Sequence, residues 1–435
     1  MQSPERANMG AMLQRLESLD TPIKVAIIGI GSAGKGLLYQ TGITPGMECV
    51  AIADIVLDRA TSAAAAFHRE FRVVHNAGEL QDTIQKGLLA VCQDGELLAQ
   101  CEPVDVVIDA SSSIAGGGCF AIAAIENKKH IVMMNAEADL IFGPYLMHLA
   151  EKNGVVYTSC DGDQPGVIRR LIDDIQLWGF KLVMAGNIKG FLDRYSNPTK
   201  IAPEADKRGL DHKMCASYTD GSKICVEMAL VANAFNLKVA RPGMYGPKAE
   251  HILDIPELFD LDSIYSDRGP VVDYVIGPEP KGGVFVVGYC EDPYQQSMLA
   301  WFPAQLGDGP YYVFRRPYHL ISIEAMQCVA EAFLDHEALL QPKYGFQTNV
   351  YCYAKRDLKA GEELDGFGGY TCYGMIENCA DNVEDPGYPI CLAENVTLNR
   401  DVPKDRKILM EDLDVDASRF DVKLYQKAVE HSNAR

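Results

Sequence analysis

The chain has 435 residues, too many for one compact core, and its 48% hydrophobic and 23% charged residues are typical of folded globular proteins. Its 60 acidic and 40 basic residues give a formal net charge of −20. Nucleic acids and anionic membranes bind basic surfaces, so this balance argues against both as main partners. A local basic pocket for a small anion is compatible with it.

The sequence also indicates a compartment. No apolar run reaches the roughly 18 residues that a membrane span needs, and the charged segment 1–20 lacks the apolar core of a signal peptide. Helical spacing of Met9, Met12, Leu13, Leu16 and Leu19 predicts a short amphipathic helix there instead. The thirteen cysteines are scattered and form no Cys-x-x-Cys pair. Because such usage is typical of free thiols, we expect a cytoplasmic protein.

The first motif is a glycine-rich turn. Residues 25–28 are apolar, as in a parallel strand buried on both faces, and lead into Gly29-x-Gly31-x-x-Gly34 and an apolar helix start. In dinucleotide-binding folds these glycines permit a tight turn, a close approach of backbone N–H groups to a pyrophosphate, and close packing of helix on strand. The strand and helix on either side strengthen this interpretation. We therefore predict a cofactor site at the following residues: Gly29, Ile30, Gly31, Ser32, Ala33 and Gly34.

A second apolar run, residues 49–53, ends at Asp54, about 20 residues beyond the last glycine. An acidic side chain there can accept hydrogen bonds from the adenosine ribose, which favours NAD over NADP. Arg59 is close enough in sequence to blur that preference, so the predicted cofactor is NADPH or NADH. The alternative is that Asp54 only caps the next helix.

Three further apolar runs alternate with helical stretches: 104–108, 130–134 and 155–158. This alternation predicts βαβ units and an N-terminal, doubly wound parallel sheet of the Rossmann type. Ligands of such sheets lie beyond the carboxyl ends of the strands. That places Ser111 to Ser113, Asn135 and Glu137 near the nicotinamide, unless these are ordinary turn residues. Among them we expect Ser111, Ser112 and Asn135 to bind the cofactor and Glu137 to bind substrate.

From about residue 160 the composition changes. Segment 181–213 carries seven basic and four acidic residues, and its part 186–199 is too polar for us to expect it in the core. A positive stretch in an acidic protein is a candidate site for an anionic substrate, whereas a solvated loop is the alternative. Within it, Lys189 is a candidate for stabilising charge on the reacting oxygen, and Arg194 and Asn197 are candidate substrate ligands.

Asp220, Lys223 and Glu227 are three or four residues apart, and at the start of a helix they would face one way. A lysine beside a hydride acceptor can hold a developing alkoxide or give it a proton. We expect Lys223 and Asp220 to be catalytic together with Lys189, and Glu227 to bind substrate. An exposed capping turn with a Lys–Glu pair is the alternative.

The last third of the chain gives weaker signals. His319 precedes a predicted helix and could be an acid, a base, an anion ligand or a structural histidine. Short strands and turns from about residue 347 predict a small, mostly β domain. The sequence contains neither His-Glu-x-x-His nor a nucleophile elbow, so metal ligands are unknown. The predicted domains are a Rossmann domain (1–160), an α+β catalytic domain (161–340) and the β domain (341–435).

Together, the motifs resemble the homoserine-dehydrogenase-like oxidoreductases that carry a C-terminal SAF (β-clip) domain. Besides the glycine-rich turn, four blocks carry the resemblance: 133–139, 219–223, 316–319 and 354–362. The best-known enzymes of this type are type II reductoisomerases, which convert 1-deoxy-D-xylulose 5-phosphate to 2-C-methyl-D-erythritol 4-phosphate with NADPH. The resemblance implies a homodimer and a small anionic, phosphorylated sugar or polyol substrate. If a carbon–carbon rearrangement precedes hydride transfer, the site must stabilise the negatively charged oxygen that forms, and a divalent metal is one candidate for that role.

Two departures from that family leave alternatives open. Asp54 lies where an NADPH-specific member is expected to have Ser or Arg, and the loop from Lys189 to Lys200 differs from the expected substrate loop. A homoserine-type dehydrogenase is therefore one alternative. A non-catalytic, dinucleotide- or sugar-binding regulator is the other.

Overall fold

The computed structural model describes residues 10–382, 384 and 386–433. The described residues fold into two units: residues 10–163 with Leu320–Gln341, and residues 164–319 with the described residues from 342 onward. The three-domain division expected from the sequence stays a prediction. Met9 of the predicted N-terminal helix lies outside the described residues, and the helix is present from Ala11.

The first unit contains a seven-stranded sheet. In chain order its strands are β1 (Ile23–Ile28), β2 (Met47–Ala53), β3 (Phe71–Val73), β4 (Leu89–Cys92), β5 (Val106–Asp109), β6 (His130–Met133) and β7 (Tyr157–Ser159). Their spatial order is β3-β4-β2-β1-β5-β6-β7, and every neighbouring pair is parallel. The predicted doubly wound parallel sheet is thereby confirmed. Its strand order reverses beside β1, and such reversal points are where open α/β sheets bind ligands.

One helix precedes β1, and six others connect consecutive strands of this sheet. They are α1 (Ala11–Glu17), α2 (Ser32–Ile43), α3 (Leu57–Ala66), α4 (Ala77–Gln85), α5 (Gly95–Ala99), α6 (Ile114–Glu126) and α7 (Ala136–Asn153). Capping residues set several boundaries: Asn135 accepts a hydrogen bond from the Ala138 N–H at the start of α7, and Gly154 ends that helix in the left-handed conformation (φ 69°).

Ten α-helices follow among the described residues. They are α8 (Gln164–Leu177), α9 (Pro198–Arg208), α10 (His212–Asp220), α11 (Ser222–Phe235), α12 (Ile255–Leu258), α13 (Leu261–Ser263), α14 (Pro293–Leu299), α15 (Pro303–Leu306), α16 (Ala325–Leu334) and α17 (Phe420–Asn433). Helix α16 belongs to the first unit and the other nine to the second.

The second unit contains a four-stranded sheet and a mostly β C-terminal part. Its strands are β8 (Lys181–Lys189), β9 (Val271–Ile276), β10 (Val284–Tyr289), β11 (Tyr311–Arg316), β12 (Thr348–Ala354), β13 (Glu363–Asp365), β14 (Cys372–Asn378), β15 (Glu394–Leu398) and β16 (Leu413–Asp414). The larger sheet has the order β11-β10-β8-β9, with β8 and β9 parallel. The C-terminal part pairs β12 with β14 and orders β13-β15-β16, so the predicted α+β and mostly β character is confirmed.

Segment 186–199 differs from its prediction. Strand β8 continues to Lys189, and Gly186, Asn187 and Ile188 are buried in it. A polar Asn187 is accommodated there because its amide donates a hydrogen bond to Glu227. Helix α9 begins within the segment, where Asn197 caps the helix and Pro198 occupies its first position.

Candidate functional site

The glycine-rich turn lies where β1 meets β5. Gly29 has φ +88°, and a Cβ on it would lie 2.6 Å from the Cα of Ser111. A Cβ on Gly34 would overlap the carbonyl oxygen of Gly29. A Cβ on Gly31 would meet nothing within 4 Å, so the space in front of this residue is open at the start of α2. A backbone turn with open space at a helix N-terminus suits an approaching phosphate group.

Asp54 supports this turn from β2. Its side chain is 3% exposed, its Oδ2 accepts a hydrogen bond from the Ile30 N–H (2.7 Å), and its Oδ1 accepts one from the Val56 N–H (2.9 Å). The guanidinium of Arg59 lies 3.3 Å from the same carboxylate. The N-cap residue of α3 is Val56, so Asp54 does not occupy the capping position. Asp54 thus holds the loop that is predicted to bind the pyrophosphate.

A second group of predicted residues joins the ends of β5 and β6. The Asn135 amide donates to Asp109 Oδ2 (3.1 Å) and to the carbonyl oxygen of Ser113 (2.9 Å). Asp109 Oδ1 accepts from the Ser111 N–H (2.9 Å). Burial raises the pKa of the Asp109 carboxyl to about 6, although hydrogen bonds from Ser111 and Asn135 oppose the shift. Asn135 therefore holds the two loops in place through contacts within the protein.

Two further predicted residues lie at the same ends of the strands. Ser112 follows β5 and is exposed, whereas Glu137 is 4% exposed in the first turn of α7. The structure thus brings the glycine-rich turn, Asp54, Ser111, Ser112, Asn135 and Glu137 to one edge of the parallel sheet. Their roles towards a cofactor or a substrate stay predictions.

In the second unit, the end of β8 faces α11. The Nζ of Lys189 lies 3.6 Å from Oε2 of Glu227, and the Asn187 amide donates to the same oxygen (3.1 Å). Lys223 and Glu227 are 7% and 2% exposed and lie one turn apart on the same face of α11. The Lys189 ammonium lies beside this buried carboxylate, and Lys223 is a second buried lysine on the same helix face as Glu227. Ammonium groups in a partly desolvated site can stabilise an oxyanion.

Asp220 is placed differently from its prediction. Helix α10 ends at Asp220, and Gly221 with φ +90° separates it from α11, so Asp220 does not share a helix with Lys223 and Glu227. Its side chain is fully buried, and its Oδ2 lies 2.8 Å from Nζ of Lys355. Burial raises the pKa of the Asp220 carboxyl, and the Lys355 ammonium opposes that shift. The catalytic role of Asp220 stays a prediction.

Arg194, Asn197 and His319 make other contacts. The Arg194 guanidinium lies 5.2 Å from the ring centroid of Tyr373 and borders a cavity of about 170 Å³. Helix α11 lines that cavity with Ile224 and Cys225, which lie on a different side of the helix from Lys223 and Glu227. Asn197 caps α9 by accepting from the Lys200 N–H (3.0 Å). His319 is half-buried just beyond β11.

The predicted residue set did not include Asn187 or Lys355. Asn187 interrupts an apolar strand, a signal that a strand pattern extended to Lys189 could have revealed. Lys355 lies immediately after β12, and nothing local in the sequence links it to Asp220.

Metal and membrane features were sought among the described residues. In residues 10–382, 384 and 386–433, no group of three or more His, Cys, Asp or Glu side chains is arranged to hold a metal ion. Ligands for the divalent ion named as a candidate are therefore not assigned, and no step below depends on such an ion. Within the same ranges, no helix has the length and apolar character to cross a membrane. All thirteen cysteines are free thiols.

Sequence comparison identifies a catalytic domain. Residues 162–325, which include β8 and α11, match a family model described as the catalytic domain of the oxidoreductase DRL. The chain is 30% identical over 112 residues to a 1-deoxy-D-xylulose 5-phosphate reductoisomerase of Endomicrobium trichonymphae, a match that covers 26% of this chain and 28% of that enzyme. Residues 162–325 are therefore similar to the catalytic domain of an oxidoreductase, which agrees with the predicted enzyme class. The finer resemblance to homoserine dehydrogenases with an SAF domain stays a prediction.

Two solved structures are similar at a distance. A 3-ketoreductase from Actinomadura kijaniata, solved with NADP and TDP-benzene, has a TM-score of 0.39 and 16% identity over 73% of this chain and 91% of its own. The 1-deoxy-D-xylulose 5-phosphate reductoisomerase from Zymomonas mobilis, solved with NADPH, has a TM-score of 0.33 and 16% identity over 48% of this chain and 57% of its own.

Proposed function

We propose that the protein transfers hydride between NADPH or NADH and a carbonyl carbon of a small anionic, phosphorylated sugar or polyol. A reductoisomerase-like conversion of 1-deoxy-D-xylulose 5-phosphate to 2-C-methyl-D-erythritol 4-phosphate is the specific reaction proposed. The oxidoreductase match over residues 162–325 and the partial identity to a reductoisomerase support it. The single observation that carries the proposal is the pairing of Lys189 with the buried Glu227, one helical turn from the buried Lys223.

The proposed cofactor site is the edge of the parallel sheet. The turn from Gly29 to Gly34 would bind the pyrophosphate through backbone N–H groups other than those of Gly29 and Ile30, which donate to Ala53 and Asp54. The open space in front of Gly31 would let the pyrophosphate approach the backbone. Ser111 and Asn135 would lie beside the nicotinamide, which supplies the hydride when it is bound. Asp54 accepts a hydrogen bond from the Ile30 N–H and thereby stabilises the conformation of the turn.

The proposed substrate site is the face shared by β8 and α11. Lys189 and Lys223 would donate hydrogen bonds to the carbonyl oxygen, whose negative charge grows as hydride reaches the carbon. One lysine can then give that oxygen a proton. Glu227 orients the Lys189 ammonium, while the Asn187 amide holds Glu227. An oxyanion formed during a preceding rearrangement would be stabilised by the same two ammonium groups.

Absorbance at 340 nm tests the proposal. The protein is incubated with NADPH or NADH and a panel that contains 1-deoxy-D-xylulose 5-phosphate, other ketose phosphates, the matching unphosphorylated sugars and, with NAD or NADP, homoserine. We expect cofactor oxidation with a phosphorylated sugar and a large loss without its phosphate. Turnover with homoserine alone would contradict the substrate class, and cofactor binding without any turnover would contradict the reaction. The homodimer and the cytoplasmic location stay predictions, and light scattering would determine the oligomeric state.

A further inference from the structure

Lys355 is a buried lysine with three partners. It follows β12 directly, and its side chain is 4% exposed. Its Nζ donates to the carbonyl oxygens of Ser196 and Gly369, each at 2.7 Å, and lies 2.8 Å from Oδ2 of Asp220. Two carbonyl oxygens that accept hydrogen bonds and one oppositely charged carboxylate therefore surround the ammonium ion. Lysine is almost never fully buried unless it is paired in this way, so the position calls for a specific role.

The three partners belong to three separate segments. Ser196 lies in the connection between β8 and α9, which also carries Arg194. Asp220 ends α10, and its Oδ1 accepts from the Ser222 N–H (2.8 Å) at the start of α11. Gly369 lies in the turn between β13 and β14. One ammonium group therefore joins the loop after β8, the start of α11 and the C-terminal strands.

Neighbouring hydrogen bonds also connect the loop after β8 and the start of α11 to the C-terminal part. The Tyr195 hydroxyl donates to Asp405 (2.9 Å), and the hydroxyls of Thr199 and Tyr370 are 2.7 Å apart. These contacts attach the loop and the first turn of α9 to the C-terminal part, on either side of Ser196. At the start of α11, the Ser222 hydroxyl accepts from the Gly374 N–H (2.7 Å).

We propose that Lys355 is a positioning residue of the oxidoreductase site, acting through Asp220 on the first turn of α11, where Lys223 lies. The inference rests on the proposed function. Gly221, with φ +90°, is the only residue between α10 and α11 and would let α11 change direction if Asp220 were released. The ammonium fixes that junction, and the C-terminal part thereby contributes to the orientation of Lys223 without touching substrate.

The test compares three variants with the wild-type protein. Lys355→Met leaves the Asp220 carboxylate buried without its counter-charge, so we expect a lower Tm. The double variant Lys355→Met/Asp220→Asn removes both charges and should recover much of that Tm. Lys359→Met is the matched control, because Lys359 is an exposed lysine of the same C-terminal part that is paired with Asp401 (2.7 Å). Each variant is measured by amide hydrogen exchange without ligands and by steady-state kinetics.

For the double variant we expect faster exchange in residues 190–200 and 220–227, with unchanged exchange in β1 and β9. We also expect kcat to fall about tenfold or more while the Kd for dinucleotide stays the same. Faster exchange in residues 220–227 distinguishes this result from the direct loss of a catalytic carboxylate at Asp220, which would lower kcat without changing the exchange. Unchanged exchange in both segments, or an unchanged kcat, would overturn the inference. If the wild-type protein turns over no substrate, the proposed function fails, and the exchange measurement alone decides whether Lys355 fixes the junction.

Discussion

The Lys189 ammonium at the end of β8 lies 3.6 Å from the Glu227 carboxylate on α11. This separation is longer than a normal hydrogen bond, so the ion pair orients the ammonium while leaving its donors available to another group. The Asn187 amide occupies the same carboxylate oxygen at 3.1 Å. The hydrogen bond from Asn187 therefore fixes the position of the Glu227 carboxylate, even if the Lys189 side chain moves.

Lys189 can be tested against a lysine at the other end of its own strand. Lys189→Met should lower kcat/KM by about 100-fold, the usual scale for a removed oxyanion donor. Lys181→Met is the control, because Lys181 begins β8, is exposed and pairs with Glu291 (2.6 Å). Its kcat/KM should stay within about twofold, since surface ion pairs contribute little. If the two substitutions changed kcat/KM equally in steady-state kinetics, Lys189 would have no specific role in catalysis.

Lys223 gives a second prediction. Lys223→Met should reduce turnover by about 100-fold or more, because an ammonium aimed at the reacting oxygen acts mainly in the transition state. Fluorescence titration with NADPH should give an unchanged Kd, since Lys223 belongs to α11 and the glycine-rich turn belongs to the first unit. Turnover that survives the substitution intact would show that Lys223 has another role.

Gly31 and Gly34 provide a matched pair in the cofactor turn. Gly31→Ala places its Cβ in open space, so the free energy of unfolding should change by less than about 0.5 kcal/mol while the Kd for dinucleotide rises about tenfold or more. Gly34→Ala forces a Cβ against the carbonyl oxygen of Gly29, and this overpacking should destabilise the fold by about 1–3 kcal/mol. Denaturant titration and dinucleotide titration separate the two effects. Full dinucleotide affinity in Gly31→Ala would argue against a pyrophosphate at this turn.

His130 predicts a dependence of stability on pH. Its Nδ1 accepts a hydrogen bond from the Val156 N–H (3.0 Å), and its ring meets that of His336 edge-on at 5.1 Å. Burial, with a smaller contribution from His336, lowers the pKa of His130 to about 4. As the pH falls from about 6.5 to about 4, the unfolded chain takes up a proton that the folded protein does not, so the free energy of unfolding falls.

Between about pH 6.5 and about pH 4, the free energy of unfolding of His130→Gln should fall by about 1–3 kcal/mol less than that of the wild type. Buried Asp109 and Asp273 have pKa values raised to about 6 and act in the opposite direction, so the variant is compared with the wild type at each pH. The exposed His75 gives the control substitution, His75→Gln. Parallel pH curves for the wild type and His130→Gln, measured by urea unfolding, would show that His130 does not carry the effect.

Local features of the chain were predictable. The glycine-rich turn needs only a strand, three glycines and a helix within a few residues, and the structure places Gly29 against Ser111 where β1 meets β5. Alternating strands and helices predicted the parallel sheet in the same way. The polar composition of segment 186–199 was misleading, because Asn187 is buried once Glu227 supplies its hydrogen bond.

Long-range features were not predictable from spacing. Asp220, Lys223 and Glu227 have the spacing of one helix face, but the positive φ of Gly221 ends α10 before α11 begins. The pairing of Asp220 with Lys355 joins residues far apart in the chain, and it depends on the packing of the C-terminal strands. Neither a residue pattern nor a charge count contains that information.

The most direct measurement of the central claim is the turnover of 1-deoxy-D-xylulose 5-phosphate with NADPH, followed at 340 nm for the wild-type protein and for Lys223→Met side by side. The account predicts steady cofactor oxidation by the wild type and a rate about 100-fold lower in the variant, with the same NADPH affinity in both. Equal rates in the two proteins would contradict it, as would a wild type that binds NADPH but oxidises none of it with any phosphorylated sugar.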